Sequence, residues 1–148
     1  MSVRTLLLVE DNQQDELLTL RALRKANLAN QVEVVRDGQQ ALDYLFGEGE
    51  FAQRAGRELP AVVLLDIHLP RVGGLDVLAR LRADARTRLV PIVILTSSDE
   101  QRDRLQSYES GCNSFVRKPL EFGDFAQTVS QLGIYWIATN QPADEVRA

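Results

Sequence analysis

The sequence predicts an α/β fold in which a doubly wound, five-stranded parallel sheet carries helices on both faces. Short apolar runs alternate with longer amphipathic segments along the chain, which is the pattern of βαβ units. The apolar runs are continuous, as expected for strands that are buried on both faces. With 148 residues and 45% hydrophobic content, we expect a single domain over residues 1–148, with a core at about 4–138 and a C-terminal tail at 139–148.

Five apolar runs are the predicted strands. The first four are the clearest, and the fifth is shorter and weaker. They extend from Leu6 to Val9, Val32 to Val35, Ala61 to Leu65, Ile92 to Leu95 and Ser114 to Val116. Each is short enough for a strand and too short for a typical helix.

Helical periodicity appears between these runs and after the last one. The predicted helices cover roughly 13–28, 38–46, 74–84, 99–110 and 121–138, and Leu17, Leu20 and Leu23 form the apolar stripe of the first. The intervening stretch 47–60 is polar and glycine-rich, which predicts a long surface loop.

The last predicted helix carries more apolar and aromatic residues than one buried stripe needs. Its stripe consists of Phe122, Phe125, Val129, Leu132 and Trp136, and core packing is the ordinary interpretation. A second group follows late in the helix: Gly133, Tyr135, Trp136 and Ile137. Exposed aromatic surface commonly marks a partner site, so we expect a homodimer through this end.

Composition excludes several function classes. A net charge of −4 gives no general attraction to nucleic acid. Cys112 is the single cysteine, so an intrachain disulfide is impossible and a thiolate metal site is not expected. The N-terminus does not resemble a signal peptide, and no apolar stretch approaches membrane-spanning length. We expect a cytoplasmic protein with neither nucleic acid nor membrane as a partner.

Acidic residues follow two of the predicted strands. Glu10 and Asp11 come directly after the first strand, and Asp66 comes directly after the third. Because the working groups of an open parallel sheet collect at the carboxyl ends of strands, a doubly wound order would bring these carboxylates together. Such a cluster is costly without a cation, and a small divalent ion with oxygen ligands relieves the repulsion. The sequence therefore predicts a Mg²⁺ site.

Hydroxyl and ammonium groups follow the remaining strands. Thr96 and Ser97 end the fourth strand, and Lys118 ends the fifth. A carboxylate such as Asp66 can form an acyl phosphate, whose oxygens then need a metal, a cation and hydrogen-bond donors. Taken singly, the segment around Asp66 is typical of a solvated turn. The conjunction of suitable groups at four strand ends favours phosphoryl chemistry.

These residues resemble the signature of the response-regulator receiver domain. The match spans about residues 4 to 137 and consists of Glu10-Asp11, Asp66 with Pro70 and Gly73-Gly74, Thr96-Ser97, Phe115 and Lys118-Pro119. The resemblance implies a flavodoxin-like strand order of 2-1-3-4-5. It also implies that Asp66 is the phosphoacceptor.

The resemblance further implies a role for each neighbouring residue. Mg²⁺ would be bound by Glu10, Asp11, Asp66 and the backbone carbonyl of His68. Thr96 and Lys118 would contact the phosphoryl group, and Thr96 and Phe115 would form the switch pair. Many relatives have Tyr where this chain has Phe115, so the switch here would act by packing without a phenolic hydroxyl.

The type of receiver is suggested by the loop 47–60 and by the ending from Phe125 to Trp136, which look similar to regulators paired with bacterial phytochromes. The resemblance implies a stand-alone regulator. A sensor histidine kinase, in our interpretation a bacteriophytochrome, would donate the phosphoryl group, and a downstream protein would be the output. The only chemistry expected is self-phosphorylation from a phosphodonor and autodephosphorylation.

Three other functions fit the sequence less well. A phosphatase with an aspartyl nucleophile would want a second acid close to the first, and His68 occupies that position. A flavin carrier on the same architecture would need a donor-rich loop after the first strand, where Glu10 and Asp11 repel phosphate. A receiver-like module that binds partners without phosphorylation would lack an active-site residue, and the expected ones are present.

Overall fold

The computed structural model describes residues 4–28, 31–119, 121–141 and 143. Its core is a five-stranded parallel sheet in the order β2-β1-β3-β4-β5. The strands are β1 (Leu6–Val9), β2 (Val32–Val35), β3 (Val62–Leu65), β4 (Ile92–Thr96) and β5 (Ser114–Arg117). The predicted fold class and strand order are confirmed, and the predicted strand bounds differ by at most one residue at an end.

Within the described residues, five α-helices connect and follow the strands. They are α1 (Gln13–Lys25), α2 (Gly38–Phe46), α3 (Gly74–Ala83), α4 (Gln101–Glu109) and α5 (Phe122–Ile134). The prediction for α1 was too long by three residues. Asn27 adopts a left-handed backbone with φ of 63°, and the Leu28 N–H donates to the Leu23 carbonyl at 2.8 Å, which ends the helix.

Alternate strand residues belong to two separate cores. Leu7 and Val9 pack in the core that includes α2 and α3, whereas Leu6 and Leu8 pack in the core that includes α1 and α5. This division follows from the period of two along a strand. Because both cores are apolar, β1 and β3 are apolar at every position, and the polar groups beside them are left to the strand ends. The outer strands β2 and β5 are less buried and carry Glu33 and Arg117.

Helix α4 packs differently from the other helices. Its buried residues are Asp103 and Ser107, both polar. Leu105 and Tyr108 are 59% and 52% exposed. The Ser107 hydroxyl donates to the Asp103 carbonyl within the helix at 2.7 Å. The helix is therefore held with little burial of apolar surface.

The segment 47–60 was wrongly predicted to be a surface loop throughout. A 3₁₀ helix, Gly49–Arg54, occupies part of it. Phe51 packs edge-on against the Tyr44 ring at 5.3 Å between centroids, and the Arg54 guanidinium lies 3.6 Å from the centroid of the same ring. Aromatic and cation–π contacts with α2 order a stretch whose composition is that of a loop.

The C-terminal region departs from the prediction in two ways. Helix α5 passes into a π-helical turn, Tyr135–Thr139, so the predicted helix 121–138 is not a single α-helix. Phe122 belongs to the predicted buried stripe and is 45% exposed. In α1, Leu17 of the predicted apolar stripe is 59% exposed. Most of the predicted tail 139–148 lies outside the described residues. Among the helices described, none has the length and apolar character needed to span a membrane.

Candidate functional site

Four polar side chains are buried at the carboxyl edge of the sheet. Glu10 follows β1, Asp66 follows β3, Thr96 ends β4 and Lys118 follows β5, and each is at most 8% exposed. Sheet hydrogen bonding continues through them: the Glu10 N–H donates to Val35 O at 3.1 Å, and the Lys118 N–H donates to Thr96 O at 2.7 Å. The backbone of the site is thus fixed by the same ladder that forms the sheet.

Lys118 lies at the centre of this group. Its Nζ is 2.6 Å from Glu10 Oε1, 2.8 Å from Asp15 Oδ2 and 3.0 Å from Asp66 Oδ2. Charge-assisted hydrogen bonds of this length are among the stronger polar contacts in proteins. The predicted meeting of Lys118 with Asp66 and Glu10 is therefore observed, and Asp15 joins them without having been predicted.

Burial and charge shift the pKa values of two of these groups. Burial raises the pKa of Glu10 to about 7, against the opposing attraction of Lys118. For Lys118, burial lowers the pKa, but the carboxylates of Asp66, Asp15 and Glu10 outweigh it and raise the pKa above its ordinary value. The lysine is held as a cation in a site that is rich in carboxylate.

The three carboxylates predicted to hold a metal lie close together. One oxygen from each of Glu10, Asp11 and Asp66 falls within 4.8 Å of the others, with Asp11 exposed and the other two buried. Hard oxygen donors on an edge that is open at Asp11 fit Mg²⁺, which prefers few protein carboxylates and retains water. His68 lies beside them, since its N–H is 3.4 Å from Asp66 Oδ1. The role of the His68 carbonyl stays a prediction.

The Asp66 carboxylate is oriented by its own loop. Its Oδ1 accepts from the Ile67 N–H at 2.7 Å, which leaves Oδ2 directed towards Lys118. The Gly74 N–H donates to the Ile67 carbonyl at 2.8 Å. A Cβ atom on Gly74 would lie only 2.0 Å from the Asp66 carbonyl oxygen, so only glycine allows α3 to begin this close to the site.

A polar network connects Thr96 to α4. Thr96 Oγ1 accepts from the Ser98 N–H at 3.3 Å, and the Ser98 hydroxyl donates to Asp103 Oδ2 at 2.6 Å. His68 Nε2 is 3.7 Å from the same carboxylate oxygen, although the His68 side chain is 71% exposed. Ser97, named with Thr96 as a hydroxyl donor, is exposed. Ser98 and Asp103 therefore make the connection that the sequence did not indicate.

Phe115 lies on β5 and is partly buried against the core on the α2 and α3 side. It lines a cleft of about 210 Å³ together with Ser98, Arg104 and Arg117. Space beside a half-buried ring allows the ring to change position. The geometry is compatible with the predicted switch pair of Thr96 and Phe115, which stays a prediction.

Two residues of the predicted dimer surface have another role. Gly133 is buried where α5 meets α1, and a Cβ there would approach Leu23 Cδ2 to 2.7 Å. Ile137 is 6% exposed and belongs to the core. Their assignment to a dimer surface was wrong, because close packing of the two helices accounts for both. Tyr135 is 48% exposed and Trp136 packs partly against the core.

Asp15 and Asp103 were missed for a shared reason. Each lies in the first turn of its helix, where acidic residues are common because they complement the helix dipole. A first-turn aspartate is therefore no signal by itself. Only the tertiary placement of α1 and α4 shows that these two carboxylates reach the site and its border.

Comparison with known proteins supports the geometry. The family model described as "Response regulator receiver domain" matches residues 6–130. The chain is 39% identical over 136 residues to the "Probable methanogenesis regulatory protein FilR2" of Methanothrix harundinacea, which covers 92% of this chain and 85% of that protein.

Solved structures give the same picture. The phosphorylated cyanobacterial phytochrome response regulator RcpA aligns with a TM-score of 0.87 and 32% identity, over 96% of this chain and 99% of that one. The Mn²⁺-bound response regulator Rcp1 gives 0.85 and 29%, over 94% and 98%. The bacteriophytochrome response regulator AtBRR gives 0.75 and 49%, over 95% and 100%.

Proposed function

Since the chain belongs to the response regulator receiver family, we propose that it is a response regulator that accepts a phosphoryl group on Asp66. One observation carries the proposal: Asp66 Oδ2, buried at the carboxyl edge of the sheet, lies 3.0 Å from the Lys118 ammonium. A buried carboxylate beside a fixed cation is suited to become an acyl phosphate, whose oxygens need a cationic partner. The phosphorylated state of the similar regulator RcpA supports this.

The proposed reaction transfers one phosphoryl group from a donor to the aspartate. An Asp66 oxygen attacks phosphorus, the bond between phosphorus and the donor nitrogen or oxygen breaks, and the donor leaves with that electron pair. Lys118 compensates charge on the transferred phosphoryl oxygens, and the Ile67 N–H holds the second Asp66 oxygen in place. Water then hydrolyses the acyl phosphate, which releases inorganic phosphate and restores the Asp66 carboxylate, so the chain acts on its own aspartate and on no other substrate.

We propose that Glu10, Asp11 and Asp66 bind Mg²⁺, with the His68 carbonyl as a further ligand. The support is the cluster of three carboxylate oxygens within 4.8 Å. A bound Mg²⁺ would add positive charge beside the phosphoryl oxygens and permit a dianionic donor to enter an acidic pocket. Rcp1, which is similar to this chain, has a Mn²⁺-bound crystal structure.

We propose that Thr96 and Phe115 respond to phosphorylation. The Thr96 hydroxyl would turn to donate to a phosphoryl oxygen, and the hydrogen bond that it now accepts from the Ser98 N–H would be lost. Phe115 would then repack towards the space beside Thr96. The surface formed by α4 and β5 would change as a result, and a downstream protein would recognise that change.

The partner proposed as phosphodonor is a sensor histidine kinase of the phytochrome type, in the cytoplasm. The support is similarity to RcpA and AtBRR, whose names identify them as phytochrome response regulators. FilR2 is named as a methanogenesis regulatory protein and not as a phytochrome regulator. The rate of phosphotransfer from different kinases therefore tests the pairing. A phytochrome kinase should label this chain faster than unrelated histidine kinases do, and equal rates would count against the pairing.

Labelling with acetyl phosphate and Mg²⁺, followed by intact mass, tests the central proposal. The wild type should gain one phosphoryl group, Asp66→Asn should gain none, and EDTA should prevent labelling. Asp76→Asn is the matched control, because Asp76 is an exposed aspartate on α3. A wild type that does not label under these conditions would refute the assignment.

A homodimer through the C-terminal end also remains a proposal. Of the predicted group Tyr135 is 48% exposed, and its neighbour Ile134, which was not in that group, is 47% exposed. The double variant Ile134→Ser with Tyr135→Ser should weaken self-association in sedimentation, with and without a phosphoryl mimic. Phe122→Ser, at the exposed start of the same helix, is the control. A wild type that is monomeric throughout would end this proposal.

A further inference from the structure

The Lys118 ammonium uses every donor it has. An ammonium carries three N–H groups and accepts no hydrogen bond. The structure gives Nζ three carboxylate partners, at 2.6 Å from Glu10, 2.8 Å from Asp15 and 3.0 Å from Asp66. If Lys118 is to contact a phosphoryl group, one of these three contacts has to be handed over.

The three partners differ in what else they have to do. Glu10 and Asp66 belong to the group of carboxylates that could hold a metal ion, and Asp15 does not. Asp66 is also the proposed acceptor, so its contact with Lys118 is the one that a phosphoryl oxygen replaces. Asp15 is the one partner among the three that neither task claims.

The position of Asp15 suits a lasting contact. It lies in the first turn of α1, where the Asn12 side chain accepts from its backbone N–H at 2.9 Å and fixes that turn. Its side chain is 29% exposed, while the Lys118 side chain is 6% exposed. A flexible four-carbon stem is therefore anchored from one side by a helix whose start is itself fixed.

We propose that Asp15 is a positioning residue for phosphoryl transfer, which holds Lys118 Nζ within reach of Asp66 while the other two carboxylates engage the metal and the phosphoryl group. This inference rests on the proposed function. Asp15 acts through Lys118 and by accepting a hydrogen bond, so its effect depends on an oxygen acceptor at this position.

Two substitutions separate positioning from charge. Asp15→Ala removes the acceptor, whereas Asp15→Asn keeps an acceptor oxygen and removes the charge. Gln14→Ala is the control, because Gln14 is the exposed neighbour on the same turn. The experiment follows labelling by acetyl phosphate in Mg²⁺ over time with intact mass, at a series of acetyl phosphate concentrations.

We expect Asp15→Ala to lower the maximal labelling rate about ten-fold, because a displaced cation no longer meets the developing charge. The half-saturating acetyl phosphate concentration should stay within about two-fold, since Lys118 acts on the transferred group in the transition state. Asp15→Asn should recover most of the rate, and Gln14→Ala should match the wild type. A merely structural role would change urea unfolding without this pattern.

The outcomes distinguish the two proposals. A wild type that does not label refutes the proposed function, whatever Asp15 does. A wild type that labels, with Asp15→Ala labelling at the same or a higher rate, overturns the positioning role. An Asp15→Asn variant as slow as Asp15→Ala also overturns it, because charge and not hydrogen bonding would then be responsible.

Discussion

Alanine at position 74 should displace the loop that carries the proposed phosphoacceptor. The added Cβ would lie 2.0 Å from the Asp66 carbonyl oxygen and 2.8 Å from Ile67 Cα, and both are backbone atoms that cannot rotate away. The start of α3 and the Asp66 peptide would have to separate by more than about 1 Å, which also strains the hydrogen bond from Gly74 N–H to Ile67 O. Residue 73 is the matched control, because a Cβ on Gly73 would meet only the Ile67 carbonyl at 3.9 Å.

The expected cost follows from these contacts. Overpacking against backbone costs about 3 kcal/mol, and the weakened hydrogen bond adds about 1 kcal/mol. The better helix propensity of alanine returns about 1 kcal/mol. We therefore expect Gly74→Ala to lower the free energy of unfolding by about 3 kcal/mol. Gly73→Ala should lower it by less than about 1 kcal/mol, because glycine is only a moderately better N-cap.

Urea unfolding measures this difference, and acetyl phosphate labelling below the unfolding transition measures its effect on the site. Gly74→Ala should label more than about ten times more slowly than the wild type, because the acceptor has moved. Gly73→Ala should label at nearly the wild-type rate. If the two alanine variants have the same stability and labelling rate, the close approach of α3 to Asp66 does not constrain the site.

Three further predictions concern stability. Gly133→Ala should lower the free energy of unfolding by about 1 kcal/mol, since a clash with α1 outweighs the gain in helix propensity. Gly123→Ala, with no atom within 4 Å of its Cβ, should leave that free energy unchanged or raise it. Urea unfolding that changes in the same direction for both variants would contradict this. In EDTA, stability should fall as pH rises from about 4.5 to 7, by at most about 1.4 kcal/mol per unit. The pKa of Glu10, ordinarily 4.5, is raised to about 7, so over this range the unfolded state loses the Glu10 proton while the folded state keeps it. Urea midpoints should lose this slope in Mg²⁺, and an unchanged slope would argue against a metal at Glu10. Arg82→Lys should lower the free energy of unfolding by about 2 kcal/mol in the same assay, because the guanidinium donates to three carbonyls and to an Asn side chain. Arg80→Lys, at an exposed position, should change it by almost nothing. Equal losses of stability would refute the role of these guanidinium hydrogen bonds.

The fold could be predicted because its inner strands β1, β3 and β4 are almost entirely apolar. Runs such as Leu6 to Val9 serve two cores at once, so they stand out from the amphipathic helices between them. The site followed from the same logic, since Glu10, Asp66 and Lys118 come directly after strands whose ends meet. Sequence position and strand parallelism together were sufficient to bring these residues into one pocket.

The errors arose where tertiary packing decides between equally good local patterns. Gly133 was assigned to a dimer surface, although a small residue serves equally where two helices pack closely. Phe122 fits the period of the α5 stripe and is nevertheless exposed, because the stripe begins beyond the edge of the core. Asp15 could not be recognised, since its helix turn is acidic for ordinary reasons and its partner lies 103 residues further along the chain.

The way α4 is attached has an energetic consequence for signalling. A helix is usually held to its domain by burial of apolar surface, which contributes about 25 cal/mol per Å². The buried residues of α4 are Asp103 and Ser107, whereas α3 buries leucine and valine. The free energy needed to detach α4 from the domain is therefore far smaller than that of global unfolding. The amides of α4 should exchange with deuterium earlier than those of α3. If α4 can adopt two positions, a partner that contacts Leu105 and Tyr108 needs only a small difference in affinity for them to shift the population of the protein from one position to the other.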